Sequence, residues 1–320
     1  MSVFEPFDSS EDIDDILDKL GDSDPKIRQV AVMDMAETAD TDVVPHIVAA
    51  LSDPSDEVRL QAARVLENFD GAVVSAGLAG ALQDPSREVA EAAAYSLAEL
   101  KDVEAAVPLL PLTVHEKAFV REKALLAMKE LRHPDSLMPA LNALTDPVAG
   151  VRIQAVGVLG YLQLEESLHA LIVASRDQDT EVRRAALGAL AYSRLPIIAE
   201  ALVKGLADSE WRVREIAAET IGKIGCTEGI DGLIGVLDDA YWQVRVQAIR
   251  SLGKLGVARA VPLIAPALEH SISNLRKDAA AALGEIADSV ALPYLEKALE
   301  DPDPDVRKNV RWAIGRIAAA

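Results

Sequence analysis

Few residues of this 320-residue chain combine types that do chemistry at a usable spacing. His115 and Glu116 are adjacent, an imidazole beside a carboxylate, the donor types of a metal site or an acid–base couple. His270 stands at the equivalent point of a repeating pattern, five units further on. At ~10 Å per packed helix layer the two histidines are on the order of 50 Å apart, too far to share an ion. His46, His133 and His169 show no ligand spacing. Cys226 is the single cysteine, which excludes an internal disulfide framework and a cysteine-rich zinc site. No histidine lies near it in sequence to activate it. Gly229, Gly232 and Gly235 follow no strand, so they do not form a phosphate loop. The residues point to no catalytic group, no metal and no cofactor.

The strongest pattern is also charged. Arg28, Arg59, Arg121, Arg152, Arg183, Arg214, Arg245, Arg276 and Arg307 recur at intervals of 31, with Ala90 filling the one gap. Six residues earlier stand Asp22, Asp53, Asp84, Asp146, Asp177, Asp208, Asp239 and Asp301, with His115 and His270 in the remaining two places. Ten units follow one another without insertion or deletion, and a fixed period of this length marks an array of repeats. Stacked units would bring each Arg near a neighbouring unit's Asp and turn carbonyls. The ladder is therefore read as architecture, with Ala90 at a weaker junction and the two histidines as turn caps in place of Asp.

Each unit reads as a helix pair. The first helix is short, as in Val43 to Leu51, Val261 to Leu268 or Ala291 to Leu299. Pro45, Pro108, Pro139, Pro196, Pro262 and Pro293 fall in its first turn, where a missing N–H costs nothing. After a turn such as Ser52 to Asp56 comes a longer helix, as in Glu57 to Phe69. Counted from the ladder Arg, positions −1, +3, +4, +7 and +10 are apolar, a helical and not a strand period. Glycines at +8 (Gly160, Gly222, Gly253, Gly284, Gly315) would let neighbouring helices approach. Ser9 or Ser10 can cap a first helix running to about Leu20. Position +4 is apolar in nine units and becomes Arg311 in the tenth, which reads as a polar end cap and a complete C-terminal end.

The motif L-x-D-x-x-x-x-V-R-x-x-A-x-x-x-L-G-x-L, clearest at Leu237 to Leu255, resembles HEAT repeats, in particular the 31-residue form of the phycobilisome lyase HEAT-like family. The resemblance spans about residues 11 to 318. It implies an all-α fold, a right-handed α-solenoid (superhelix) of about ten HEAT-like helix pairs, with the second helices lining a concave face. Residues 1–10 are expected to be a flexible lead and 11–320 a single solenoid. It implies function loosely, because the repeat serves adaptors, chromophore lyase subunits and a hydroxylase alike. The HEAT-repeat deoxyhypusine hydroxylases hold two irons with several His-Glu pairs; this chain has only His115-Glu116.

The chain carries 52 acidic and 32 basic side chains, a formal charge of −20. That disfavours wholesale binding to nucleic acid or to an anionic membrane. Met1 to Leu20 is acidic and lacks an apolar run, so no signal peptide is expected, and no apolar stretch is long enough to span a membrane. The default placement is cytoplasmic.

On a helical wheel the exposed side of the second helices centres on +5, flanked by +1, −2 and +9. Units one to four present mainly acidic residues there, among them Glu91, Glu99 and Glu122. Units seven to ten present mainly basic ones, including Arg250, Lys254 and Lys277. Between them lie Phe119, Leu126, Ile153, Tyr161 and Tyr192, with Gly150, Gly157 and Gly188 leaving room beside them. Trp211 and Trp242 occupy one position, three before the Arg, in adjacent units; they either pack at the helix start or anchor a partner. The sequence thus predicts non-catalytic protein binding in the concave groove, by a scaffold, adaptor or maturation factor. A chromophore (bilin) lyase subunit or tetrapyrrole-handling protein is the alternative. A nucleic-acid-binding HEAT-like protein is a third reading, its basic groove met only in the C-terminal half.

Overall fold

The computed structural model describes residues 9–38 and 41–319, with side chains from residue 13 onward. Most of the expected lead over 1–10, and the side chains of Ser9 and Ser10, lie outside the described residues. The described residues form helices and no strand. Ten second helices follow the predicted period: Pro25–Glu37, Asp56–Val65, Arg87–Ala98, Ala118–Leu131, Ala149–Leu162, Thr180–Ala189, Trp211–Ile224, Trp242–Lys254, Ser273–Ile286 and Pro304–Ala319. A shorter first helix precedes each, so the chain is an all-α array of ten helix pairs, numbered here as repeats one to ten. It divides into two compact units, Met1–Leu162 and Gln163–Ala320, which hold repeats one to five and six to ten.

The ends of the helices differ from expectation where the backbone tightens. The helix read as Glu57 to Phe69 runs as Asp56–Val65 and ends in the 3-10 turn Leu66–Asn68. The first helix of repeat nine is Val261–Ile264 continued by the 3-10 segment Ala265–Glu269. In repeat four the whole first helix, Val103–Val114, is 3-10, with Pro108 and Pro111 inside it. Each proline removes a backbone donor and clashes with the preceding turn, so the regular i→i−4 ladder cannot form there.

Packing follows the arithmetic of the repeat. Position +3 is Ala31, Ala62, Ala93, Ala124, Ala155, Ala186, Ala217, Ala248, Ala279 and Val310, and all ten are fully buried. Small side chains there let helices pack closely, and larger ones would overpack by about 1–3 kcal/mol. Glycine at +8 serves the same approach. A Cβ on Gly253 would lie 2.8 Å from Ala282 Cα, and one on Gly284 would lie 2.8 Å from Ala313 Cα. Gly315 differs from the expectation, with nothing within 4 Å of its Cβ position. A buried hydroxyl at +6 adds a brace not foreseen from sequence. Ser96 Oγ donates to Ala63 O at 2.7 Å and Ser251 Oγ to Ala218 O at 2.7 Å, each reaching the +4 carbonyl of the preceding repeat. A hydroxyl satisfied in this way avoids the cost of an unpaired buried polar group.

The ladder joins repeats as the sequence suggests. Arg28 donates through Nε and Nη2 to Asp53 at 2.7 and 2.8 Å, and through Nη1 to the Asp22 carbonyl at 2.8 Å. Arg59–Asp84, Arg121–Asp146, Arg183–Asp208, Arg214–Asp239 and Arg276–Asp301 repeat this fork, each spanning 25 residues. The Asp also shapes its own turn, as where Asp53 Oδ1 accepts the Ser55 N–H. The histidines take over only that second task. His115 Nδ1 accepts from the Lys117 N–H, and His270 Nδ1 from the Ile272 N–H. Between repeats three and four both members of the fork are missing, because Ala90 stands in the arginine place and His115 in the aspartate place. Between repeats eight and nine only the carboxylate is missing. Arg245 has His270 where Asp would stand, and its Nε is buried without a hydrogen-bond partner.

Candidate protein-binding face

The ladder and the apolar positions hold each second helix by one side, leaving −2, +1, +5 and +9 exposed or half-buried, except for the buried Val246 at +1 of repeat eight. The predicted central residues fall in both units. In the first, Phe119, Leu126 and Ile153 are half-buried, and Tyr161 is 36% exposed. Tyr161 lies among cations of repeat four, Lys129 Nζ at 5.2 Å and Arg132 Cζ at 5.4 Å from its ring centroid. The glycines do not leave the room expected. A Cβ on Gly150 would meet Glu122 Oε2 at 2.7 Å, and one on Gly157 would meet Lys129 Cδ at 3.0 Å. Side chains of repeat four fold back over them.

In the second unit Tyr192 is partly buried, and its hydroxyl donates to Leu164 O at 2.7 Å and lies 2.9 Å from Ser167 Oγ. Burial raises its phenol pKa, against the hydrogen bond from Ser167. Trp211 is half-buried and stacks on Tyr241, with centroids 5.3 Å apart, while Arg212 Cζ lies 5.3 Å from the Trp211 ring. Trp242 is also half-buried. Arg250 forks onto Asp278 with two bonds of 3.0 Å, so much of its charge is already used. Lys254 is exposed, and Lys277 Nζ reaches Asn274 Oδ1 at 3.4 Å.

Sequence reading passed over three residues that the structure brings forward. Met33, Tyr95 and Trp312 all stand at +5 and are 47, 63 and 44% exposed. The signal was in the wheel, which centres on that position. Tyr95 edges an open cleft of about 430 Å³ with Arg64, Glu67, Glu88 and Glu91. A second cleft of about 400 Å³ is lined by Glu181, Arg184, Arg212, Glu215 and Glu219. Burial, reinforced by the neighbouring Glu219 carboxylate, raises the Glu215 pKa from its ordinary value. Neither cleft brings a nucleophile to a base. Burial likewise raises the Cys226 thiol, keeping it protonated and a poor nucleophile near neutral pH. No group of three His, Cys, Asp or Glu among the described residues is placed to hold a metal, and no helix among them is long and apolar enough to cross a membrane.

This architecture has a family. The HEAT repeats model matches residues 13–98, 51–129, 137–222, 168–240 and 230–315. The chain belongs to the HEAT-repeat family. Among solved structures it is similar to an engineered protein at 21% identity and a TM-score of 0.53, covering 96% of this chain and 99% of that one. It is also similar to YibA of Escherichia coli, at 19% identity and a TM-score of 0.55, over 91% of this chain and 97% of that one. Kap95p, in a structure concerned with its binding to RanGDP, matches at 17% identity and a TM-score of 0.63. The match covers 97% of this chain and half of Kap95p. At such identities the likeness is one of fold. No curated protein matches the chain.

Proposed function

We propose that the chain is a non-catalytic scaffold, adaptor or maturation factor that binds a protein partner along the exposed face of its second helices, the concave groove of the HEAT reading. The observation that carries this is the outward +5 row, where Met33, Tyr95 and Trp312 expose large apolar surface at the same position of three second helices. Exposed rings bordered by polar rims suit partner anchoring. Charge supports it too: the outward positions are mostly acidic in repeats one to four and mostly basic in seven to ten. Such a distribution sets partner orientation and association rate. Fold likeness to Kap95p is consistent with this use and supplies no partner.

The test is co-purification from native extract with mass spectrometry, comparing the natural chain with a Tyr95→Ala/Tyr161→Ala variant of unchanged melting curve. A defined protein captured by the first and depleted with the second is expected. A co-purifying absorbing pigment would favour the lyase reading, for which the 31-residue period is the motive. Equal capture by both chains would remove these aromatics from the binding face.

A further inference from the structure

The second helix of repeat ten runs against the acidic balance of the chain. Pro304–Ala319 sets Lys308, Trp312 and Arg316 four residues apart, so they share one face. Lys308 and Arg316 are exposed, and neither makes an ion pair among the described residues. Trp312 is not loose. A Cβ on Gly284 would stand 2.5 Å from Trp312 Cζ3, so the ring edge rests on bare backbone of repeat nine. Arg316 Cζ lies 5.6 Å from the ring centroid on the same helix. A ring held in this way and 44% exposed has little side-chain entropy left to lose on binding. The nearby carboxylates do not cancel the cations. Glu285 leans toward repeat eight, its Oε2 2.8 Å from where a Cβ of Gly253 would be. Asp305 sits in the first turn of its helix, where it complements the dipole.

We infer that Lys308, Trp312 and Arg316 form a subsite for an acidic protein segment, a reading that rests on the protein-binding function and names the chemistry of the partner. An apolar side chain of the partner covers the indole, and carboxylates on either side reach the two cations. The helical rise places the Lys308 and Arg316 Cα atoms about 12 Å apart. An extended segment spans that distance in about four residues at ~3.3 Å each. The recognised pattern is therefore Asp or Glu, a spacer, an apolar residue, a spacer, and Asp or Glu. A nucleic acid fits less well, because a continuous run of phosphates would also meet Asp305, Glu285 and the field of a chain with net charge −20.

A random-peptide library selected against the full chain, with the enriched peptides resynthesised and their affinities measured by fluorescence anisotropy, tests this. Enrichment of the acidic–apolar–acidic pattern is expected. Binding should weaken by about tenfold or more in Trp312→Ala and in Lys308→Glu/Arg316→Glu, and should fall at high salt. Trp312→Gln, which keeps a bulky side chain, guards against a folding defect, and all variants are first matched by melting curve. Enriched peptides that are basic, or that ignore these substitutions, would overturn the subsite. Single-stranded DNA competing as well as the peptides would also overturn it. Peptides lost instead with Tyr95→Ala or Tyr161→Ala would leave the broader protein-binding reading standing. No enriched peptide together with no co-purifying protein would remove both.

Discussion

Each ladder arginine carries a junction, and its loss should be felt there. Arg183 and Asp208 have side chains only 14% exposed, so Arg183→Ala leaves a carboxylate largely out of water and unpaired. A cost of about 2 kcal/mol is expected in chemical denaturation, with partner binding retained while the protein is folded. Arg28 makes the same fork to Asp53 at the first junction of the ladder. Arg245 is the informative contrast. Its fork already lacks a carboxylate, so Arg245→Ala should cost less than Arg214→Ala, which breaks bonds of 2.6 and 2.9 Å to Asp239. Conversely His270→Asp should give the buried Arg245 Nε an acceptor and stabilise by about 1 kcal/mol, read as a higher melting temperature at neutral pH. A lower melting temperature would mean that His270 does more than shape its turn. The ladder itself was legible in sequence because both partners are charged and periodic. The unpaired Nε of Arg245 is not legible there, because it follows only from a fork that reaches forward 25 residues.

At the scale of the helix, the glycines separate close approach from mere tolerance. Gly253→Ala should destabilise by about 2 kcal/mol, because its new Cβ meets backbone and cannot be relieved by a side-chain rotation. Gly315→Ala, in open space inside a helix, should stabilise by up to about 1 kcal/mol through helix propensity alone. Thermal melts of the two variants check this directly, and similar shifts in both would contradict the packing described. Sequence could not tell these positions apart, since both are glycine at +8. It also read Gly150 and Gly157 as free space, whereas Glu122 and Lys129 cover them. Long polar side chains can lie back over a neighbouring repeat, and no wheel shows that. Tyr95 and Trp312 were legible in principle, because helical periodicity alone puts +5 outward.

For the molecule as a whole, stability should depend on pH in two opposing ways. Hydrogen bonds from Arg28 and Arg276 hold Asp53 and Asp301 below the usual value near 3.8. For Asp84, Asp146, Asp208 and Asp239 burial pushes upward, and the Arg fork with a backbone N–H outweighs it. A depressed folded-state pKa contributes stability that is present above the unfolded value and lost as pH falls through the folded one. The ladder term should therefore hold down to about pH 4 and vanish below it. Between neutral pH and the isoelectric point near 4.6, shedding net charge relieves self-repulsion and works the other way. Melting temperature followed against pH should peak around pH 5 and drop steeply below 4, and added salt at neutral pH should raise it. A monotonic decline from neutrality would show that repulsion is negligible.

The guanidinium fork also sets a unit of change for the gene. Nη1 fixes the backbone carbonyl six residues back, as Arg183 does at the Asp177 carbonyl, while Nε and Nη2 fix the carboxylate 25 residues ahead. Together the two spans make one period of 31 residues, so each arginine with a complete fork gauges one full repeat. A small insertion or deletion in either span would throw the carboxylate or the carbonyl off the fork. Recombination that removes or duplicates a whole period restores both. Length in such a gene is then free to drift in steps of a complete repeat and resists smaller steps wherever the fork is complete.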